Sequence, residues 1–226
     1  MSAKTATLIG ATGLIGGELL NLLLSDDYFE KVRILVRTPF NVVHPKLEKK
    51  LVDFNDNDSL LVALDGSDAL FVAVGTTQKK VRGDKVAYKK VDYDIPIHAA
   101  KFCKMVGCKI FVLVSSVGAS NKSGNFYLHL KGEVEDKVKE LGIDSVNIMR
   151  PSILLGERKE SRPLEKMSQS MMRIFSLLLP SRYKPIQARD VARAMLASSK
   201  RSEKGFFVYE YEEMETVIGF RKANPL

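Results

Sequence analysis

Tyr127 and Lys131 are the side chains best suited to chemistry. They stand four apart in Tyr127-Leu128-His129-Leu130-Lys131 and share one face if the stretch is helical. An ammonium beside a phenol favours the phenolate, lowering the tyrosine pKa from about 10 toward working pH. Such a group passes a proton to or from a carbonyl or hydroxyl. Upstream, an apolar run closes on Val114-Ser115-Ser116, which puts a hydroxyl, that of Ser116, at the end of a strand. A tyrosine and lysine at this spacing are common by chance. Their company decides whether the pattern means anything.

That company is a glycine turn at the start of the chain. Thr5-Ala6-Thr7-Leu8-Ile9 is a short β-branched run. It breaks at Gly10-Ala11-Thr12-Gly13-Leu14-Ile15-Gly16 and continues with the spacing of an amphipathic helix. In a strand–turn–helix unit the three glycines have separate jobs. Gly10 permits the sharp turn, Gly13 lets a pyrophosphate approach bare backbone, and Gly16 packs helix on strand. The N–H groups of that helix start, around Thr12, Leu14 and Ile15, favour an anion. Dinucleotide binding is the reading; a purely structural glycine turn is the plain alternative. With a dinucleotide present, Ser116, Tyr127 and Lys131 read as proton-transfer partners to hydride transfer at a nicotinamide.

The elements that must position these groups follow as apolar runs alternating with helical patterns. Strands are expected at 5–9, 32–36, 50–54, 69–74, 109–114 and 145–149, and a late one at 206–211. Helices are expected at 14–23, 56–64, 84–105 and 126–141, and another from about 187. This alternation predicts an α/β fold with a doubly wound parallel sheet and right-handed crossovers. Strand order 3-2-1-4-5-6, with room for a seventh, places the ligand at the carboxyl ends of strands 1 and 4. The 226 residues suit one domain, 1–226, with 151–187 as a substrate or lid insertion.

The end of strand 2 bears on which dinucleotide binds. An acidic residue about 20 positions past the glycines reads a ribose 2′-hydroxyl, whereas an arginine accommodates a 2′-phosphate. Here the strand ends Leu35-Val36-Arg37-Thr38, so NADP(H) is favoured over NAD(H). A solvated Arg37 is the bland alternative. Asp53 and Phe54, ending strand 3, are placed to flank the adenine, although Asp53 can equally cap its loop.

The formal charge of +8 admits nucleic acid, a membrane surface or phosphorylated small molecules. No recognised nucleic-acid motif accompanies the basic run Lys79, Lys80, Arg82, Lys85, Lys89 and Lys90, so a solvated helix face is the simpler reading. His44, His98 and His129 lack metal-ligand spacing, and no metal site is expected. Cys103 and Cys108 read as reduced core residues. With no signal-like start and no apolar run of the roughly 20 residues that span a bilayer, the cytoplasm is the expected location.

Gly10-x-x-Gly13-x-x-Gly16, Ser116, Tyr127 and Lys131 together resemble the short-chain dehydrogenase/reductase superfamily. The glycine spacing and Arg150-Pro151 resemble its extended and atypical branches, which include nucleotide-sugar epimerases. A nearer resemblance is to the HIV Tat-interacting oxidoreductase-like group. It rests on Leu8-Ile9-Gly10-Ala11-Thr12-Gly13, Gly75-Thr76-Thr77, Val91-Asp92-Tyr93-Asp94, the stretch from Tyr127 through Glu135, and Arg158-Lys159-Glu160-Ser161-Arg162-Pro163. The resemblance implies a Rossmann-type fold and NADP(H) binding. It also implies a catalytic Ser116-Tyr127-Lys131 set and a nucleotide lined by Gly75, Thr76, Thr77 and Ser115, with Pro151 and Ser152 near the nicotinamide. One position departs: Asp92 stands where many superfamily members carry asparagine, so their proton relay does not carry over directly.

The expected activity is that of an NADP(H)-dependent oxidoreductase on a small carbonyl or alcohol. Arg158 and Arg162 are candidates to clamp an anionic substrate, if they are not simply solvated. The apolar stretch at 167–179 (Met167, Met171, Met172, Ile174, Phe175, Leu177, Leu178, Leu179) reads as a lid, a homodimer face, a partner or membrane contact, or a core helix. Two other functions share the same residues. One is a nucleotide-sugar epimerase or dehydratase retaining NAD(P); the other is an NADPH-binding redox sensor that works through a protein partner with little turnover.

Overall fold

β-Branched and aliphatic runs too short for helices collapse here into parallel strands buried on both faces. The computed structural model describes residues 4–77, 81–156 and 180–223, with side chains as far as residue 219. The strands are β1 (Thr5–Ile9), β2 (Lys31–Val36), β3 (Leu47–Leu51), β4 (Ala69–Val72), β5 (Ile110–Val114), β6 (Ser145–Met149) and, late in the chain, β9 (Gly205–Tyr209). They form one sheet in the order β3-β2-β1-β4-β5-β6-β9, every neighbouring pair parallel. The expected doubly wound α/β order is therefore present, and the seventh strand extends it beside β6.

Helices cover both faces, as the alternation of the strands requires. Ala6, Leu8, Ile34 and Val36 point to one side, toward α1 (Leu14–Leu24) and α6 (Ala188–Ser198). Ile9, Leu35, Leu70 and Val72 point to the other, where α2 (Asn57–Leu64), α4 (Ile95–Met105) and α5 (Phe126–Glu140) lie. On the first side Phe29 meets Phe71 edge to face at 6.0 Å, a geometry that adds to plain burial. A last helix, α7 (Tyr211–Ala223), follows β9. Tyr211 begins this helix rather than ending the strand expected at 206–211.

Two further strand boundaries differ from expectation. Strand 3 is 47–51, not 50–54, because its register on β2 pairs Val32 with Leu47 and Val36 with Leu51. It is an edge strand with sequence Leu-Glu-Lys-Lys-Leu, so the pull of the apolar pair at 51–52 is misleading; charges on an edge are an ordinary defence against stray pairing. Asp53 thus lies beyond the strand. The fourth strand stops at Val72, although the Ala73 N–H still bonds the Ile9 carbonyl at 2.9 Å.

The helix expected at 84–105 is present as one continuous run whose hydrogen-bond period changes midway. A short α3 (Lys85–Lys89) passes into a π-helical turn (Lys90–Asp94) and then into α4. Pro96 in the first turn of α4 is the cause. Its missing N–H leaves the Asp92 carbonyl without a partner four residues on, and its ring crowds that carbonyl. The backbone instead bonds five residues apart, with Ile95 N–H donating to the Lys90 carbonyl. Such widened turns occur frequently at functional sites, and this one carries the buried Asp92.

After β6 the chain forms β7 (Leu154–Leu155), paired in parallel with β8 (Ile186–Gln187), and a 3₁₀ turn at Ser181–Tyr183. Arg158, Arg162 and the stretch 167–179 lie outside the described residues, as do Lys79 and Lys80. Among the described residues no helix is long and apolar enough to cross a membrane.

Candidate active site

Gly10 adopts φ +99°, and a Cβ there would sit 2.6 Å from the Ala73 carbonyl oxygen. The turn after β1 is thus pressed against the end of β4, where the strand order reverses. At Gly16 a Cβ would lie 2.0 Å from the Gly10 carbonyl oxygen, so the helix can approach the strand only without a side chain. Gly13 differs: its Cβ direction meets nothing nearer than the Gly10 oxygen at 3.3 Å, and it is exposed. Gly13 caps α1 with no side-chain cap bond and no acidic residue in the first turn. Thr12 is exposed and Leu14 half-buried beside it, while Ile15 turns into the core. An uncapped helix start with an open glycine approach fits the diphosphate of a dinucleotide.

The opposite wall is α5. Asn125 caps it, accepting from the Tyr127 and Leu128 N–H groups at 2.9 and 3.2 Å. Four-residue spacing puts Tyr127, Lys131 and Glu135 on one face. Tyr127 is half-buried; its ring stands edge-on to Tyr88 at 6.4 Å, and its hydroxyl has no hydrogen-bond partner among the described residues. Lys131 is buried, with its ammonium 5.9 Å from the Tyr127 ring centre.

That ammonium is already engaged. Its Nζ lies 3.0 Å from Asp92 Oδ1, in a pair whose side chains are 4% and 1% exposed. The other carboxylate oxygen of Asp92 accepts the Thr76 N–H at 2.7 Å. One inward-turned acid from the π turn therefore ties the Gly75-Thr76-Thr77 loop after β4 to the lysine of α5. The Tyr88 hydroxyl also donates to the Thr76 carbonyl, at 3.4 Å. Gly75 is exposed, and a Cβ there would face Asp92 Oδ1 at 3.5 Å.

At the end of β5 the two serines have different surroundings. Ser115 is buried, and its hydroxyl donates to Glu135. Ser116 is half-buried and bonds only the Val117 carbonyl, at 3.3 Å, leaving its hydroxyl the more available of the two. The loop beyond it lies directly on α5. A Cβ on Gly132 would come within 2.2 Å of the Ser120 backbone, and Ser120 N–H bonds the Leu128 carbonyl at 3.1 Å. Val117 N–H reaches the Pro151 carbonyl at 3.0 Å, joining this loop to the chain after β6. Pro151 is buried, and the Ser152 hydroxyl donates to the Lys184 carbonyl. Gly156 closes over the glycine turn, where a Cβ would meet Leu14 Cδ1 at 3.0 Å.

Beneath the site lies an ion network that sequence reading missed. Arg150 grips Glu135, with Nη2–Oε2 at 2.5 Å and Nε–Oε1 at 3.1 Å. Bonding to Glu135, which outweighs burial, raises the guanidinium above its usual range. Arg150 also faces Glu210 at 3.8 Å, and Glu210 pairs with Arg182 at 3.4 Å. The signal was available for Glu135, which continues the four-residue spacing from Lys131. Nothing in the sequence pointed to Arg150 as its partner.

The outlying candidates are less engaged. Arg37 is exposed just past β2, with no bonding partner among the described residues. Asp53 turns its carboxylate to Asn55, accepting its N–H and side-chain amide at 2.9 Å each, and those bonds lower its pKa. These bonds cap the loop from within, beside the position expected for the adenine. Phe54 packs partly on the core near α2. Cys103 and Cys108 are free and buried; the neighbouring Cys108 thiol and burial push the Cys103 thiol up. Two shallow clefts of about 530 and 410 Å³ lie beside β9 and beside α2, away from Tyr127.

Comparison with known proteins identifies the family and the fold. A family model described as NAD(P)H-binding matches residues 10–201. Rat protein HTATIP2 is 35% identical over 199 residues, covering 87% of this chain and 81% of that one. The mitochondrial protein FMP52 of Candida albicans is 32% identical over 218 residues, covering 94% and 93%. The Bordetella bronchiseptica enzyme WbmH, solved in complex with NAD+, superposes with a TM-score of 0.71 at 18% identity, over 93% of this chain and 76% of that one. On these matches the chain belongs to the NAD(P)H-binding family, in the atypical short-chain dehydrogenase/reductase group of protein HTATIP2.

Proposed function

We propose that this protein is an NADP(H)-dependent oxidoreductase acting on a small carbonyl or alcohol. The observation that carries the reading is the Tyr127–Lys131 face of α5, joined through Asp92 to the loop after β4. When bound, the dinucleotide supplies or takes up hydride. The remaining roles fall to the chain. The turn from Gly10 to Gly16 holds the diphosphate on the N–H groups around Thr12, Gly13, Leu14 and Ile15. Gly75, Thr76, Thr77 and Ser115 line the nucleotide, Asp53 and Phe54 border the adenine, and Pro151 and Ser152 approach the nicotinamide. Arg37, exposed and unengaged, takes the 2′-phosphate.

Tyr127 passes the proton to or from the substrate oxygen, Ser116 positions that oxygen, and Lys131 holds the nicotinamide ribose. Arg158 and Arg162 are assigned to an anionic substrate group, 151–187 to the substrate or lid insertion, and the apolar stretch 167–179 to a homodimer or protein partner. A reducing compartment, the cytoplasm, is proposed, and the two free, buried cysteines are compatible with it; cell fractionation tests it against the mitochondrial location in the name of the Candida relative. The function is tested by NADPH oxidation with a panel of aldehydes, ketones and quinones. Tyr127→Phe should lower turnover about 10²–10⁴-fold while NADPH binding by calorimetry is retained. No NADPH oxidation by the wild type with any of these substrates refutes the reading, and unchanged turnover in Tyr127→Phe removes Tyr127 from the proton transfer.

A further inference from the structure

Two features of Asp92 exceed what a hydrogen-bonding filler would need. It is buried to 1% exposure, and both its oxygens are taken by donors from different elements, the Lys131 ammonium and the Thr76 N–H. A carboxylate can accept twice in this way. An amide would have to turn its NH₂ toward one of the two donors. The acid is therefore matched to its neighbours in hydrogen bonding as well as in charge.

We propose that Asp92 is a positioning residue that presents Lys131 to Tyr127 as half of a neutral pair, setting the site at rest as a proton donor for carbonyl reduction. This deepens the oxidoreductase reading and rests on it. A bare ammonium near a phenol stabilises phenolate strongly; an ammonium 3.0 Å from a carboxylate offers only a dipole. In the favoured direction the carbonyl carbon takes up the hydride that a bound reduced nicotinamide would supply, the nicotinamide being oxidised, and the Tyr127 hydroxyl gives its proton to the carbonyl oxygen. An alcohol leaves, and the phenolate recovers a proton from water.

The other charged and titratable groups around Tyr127 do not substitute for the pair. Tyr88 from α3 meets the ring edge-on. The Lys85 ammonium sits over the neighbouring Phe126 ring at 5.4 Å. On α5 itself, His129 faces Glu133 at 3.7 Å, and Glu135 is held by Arg150 and Ser115. Among the described residues Lys131 is the cation on the Tyr127 ring, and Asp92 is its counter-ion.

The test reads tyrosinate absorbance against pH in the full-length protein without dinucleotide. The wild type, Asp92→Asn, Lys131→Met and the double variant are each compared with a matching Tyr127→Phe protein, so that the difference isolates Tyr127. Asp92→Asn should move the Tyr127 midpoint down by about one pH unit or more, and Lys131→Met should move it up. The double variant should return close to wild type. An unmoved midpoint in Asp92→Asn, or a double variant displaced as far as Lys131→Met, overturns the proposal. If one single variant fails to fold, the other is compared with the double variant, which buries no unpaired charge, and equal midpoints overturn the proposal. Turnover plays no part in this readout. Absence of NADPH oxidation in the wild type would sink the oxidoreductase reading and leave the titration result standing.

Discussion

Arg37 and Lys131 show how differently two cations serve one site. Lys131 is buried and answered by Asp92, so its charge is balanced before any ligand arrives. Arg37 is exposed and without a partner among the described residues, so its charge remains available to a ligand. A hydrogen bond to a charged group contributes about 1.5–3 kcal/mol. Arg37→Ala should accordingly weaken NADPH binding roughly 10–100-fold and leave NADH binding nearly unchanged in calorimetric titration. Equal losses for both dinucleotides would remove the 2′-phosphate role. The glycines of the first turn divide in the same manner: Gly10 and Gly16 are required by backbone contacts already present, and Gly13 by the space it leaves.

Elements place these residues through small local devices. The π turn forced by Pro96 carries the buried Asp92. Asn125 starts α5 two residues before Tyr127 and satisfies two of its free N–H groups. Asn125→Ala should cost about 1 kcal/mol, seen as a fall in Tm of roughly 2–4 °C for a chain of this size. A Tm equal to wild type would show that the cap is replaceable by water. The existence and type of the main elements were legible because strand and helix periodicities differ. The change of period at 90–94 was not, because the pattern on either side is helical and only the five-residue bonding distinguishes it.

At the scale of the whole molecule, the Glu135–Arg150 pair ties the site helix to the end of β6, and Glu210 and Arg182 extend it toward β9 and the 3₁₀ turn. Glu135 is 3% exposed and also holds Ser115, so its loss strands two donors. Arg150 keeps 23% of its side chain exposed, which lets water reach part of the orphaned charge. Glu135→Ala should therefore cost about 3 kcal/mol, the low end for a broken buried pair. The double variant with Arg150→Met should recover much of that loss in thermal or denaturant unfolding. Additive losses would mean that the pair acts through packing alone.

The sequence by itself determined the parallel α/β sheet and its order, since alternating strands and helices with right-handed crossovers admit few topologies. It also determined the glycine turn and the shared face of Tyr127 and Lys131, because both rest on fixed local spacings. Tertiary structure alone decided which charges meet. Asp92 lies 39 positions before Lys131, and Arg150 lies 15 after Glu135. No local period links such pairs; the sheet order and one proline-induced turn bring them together.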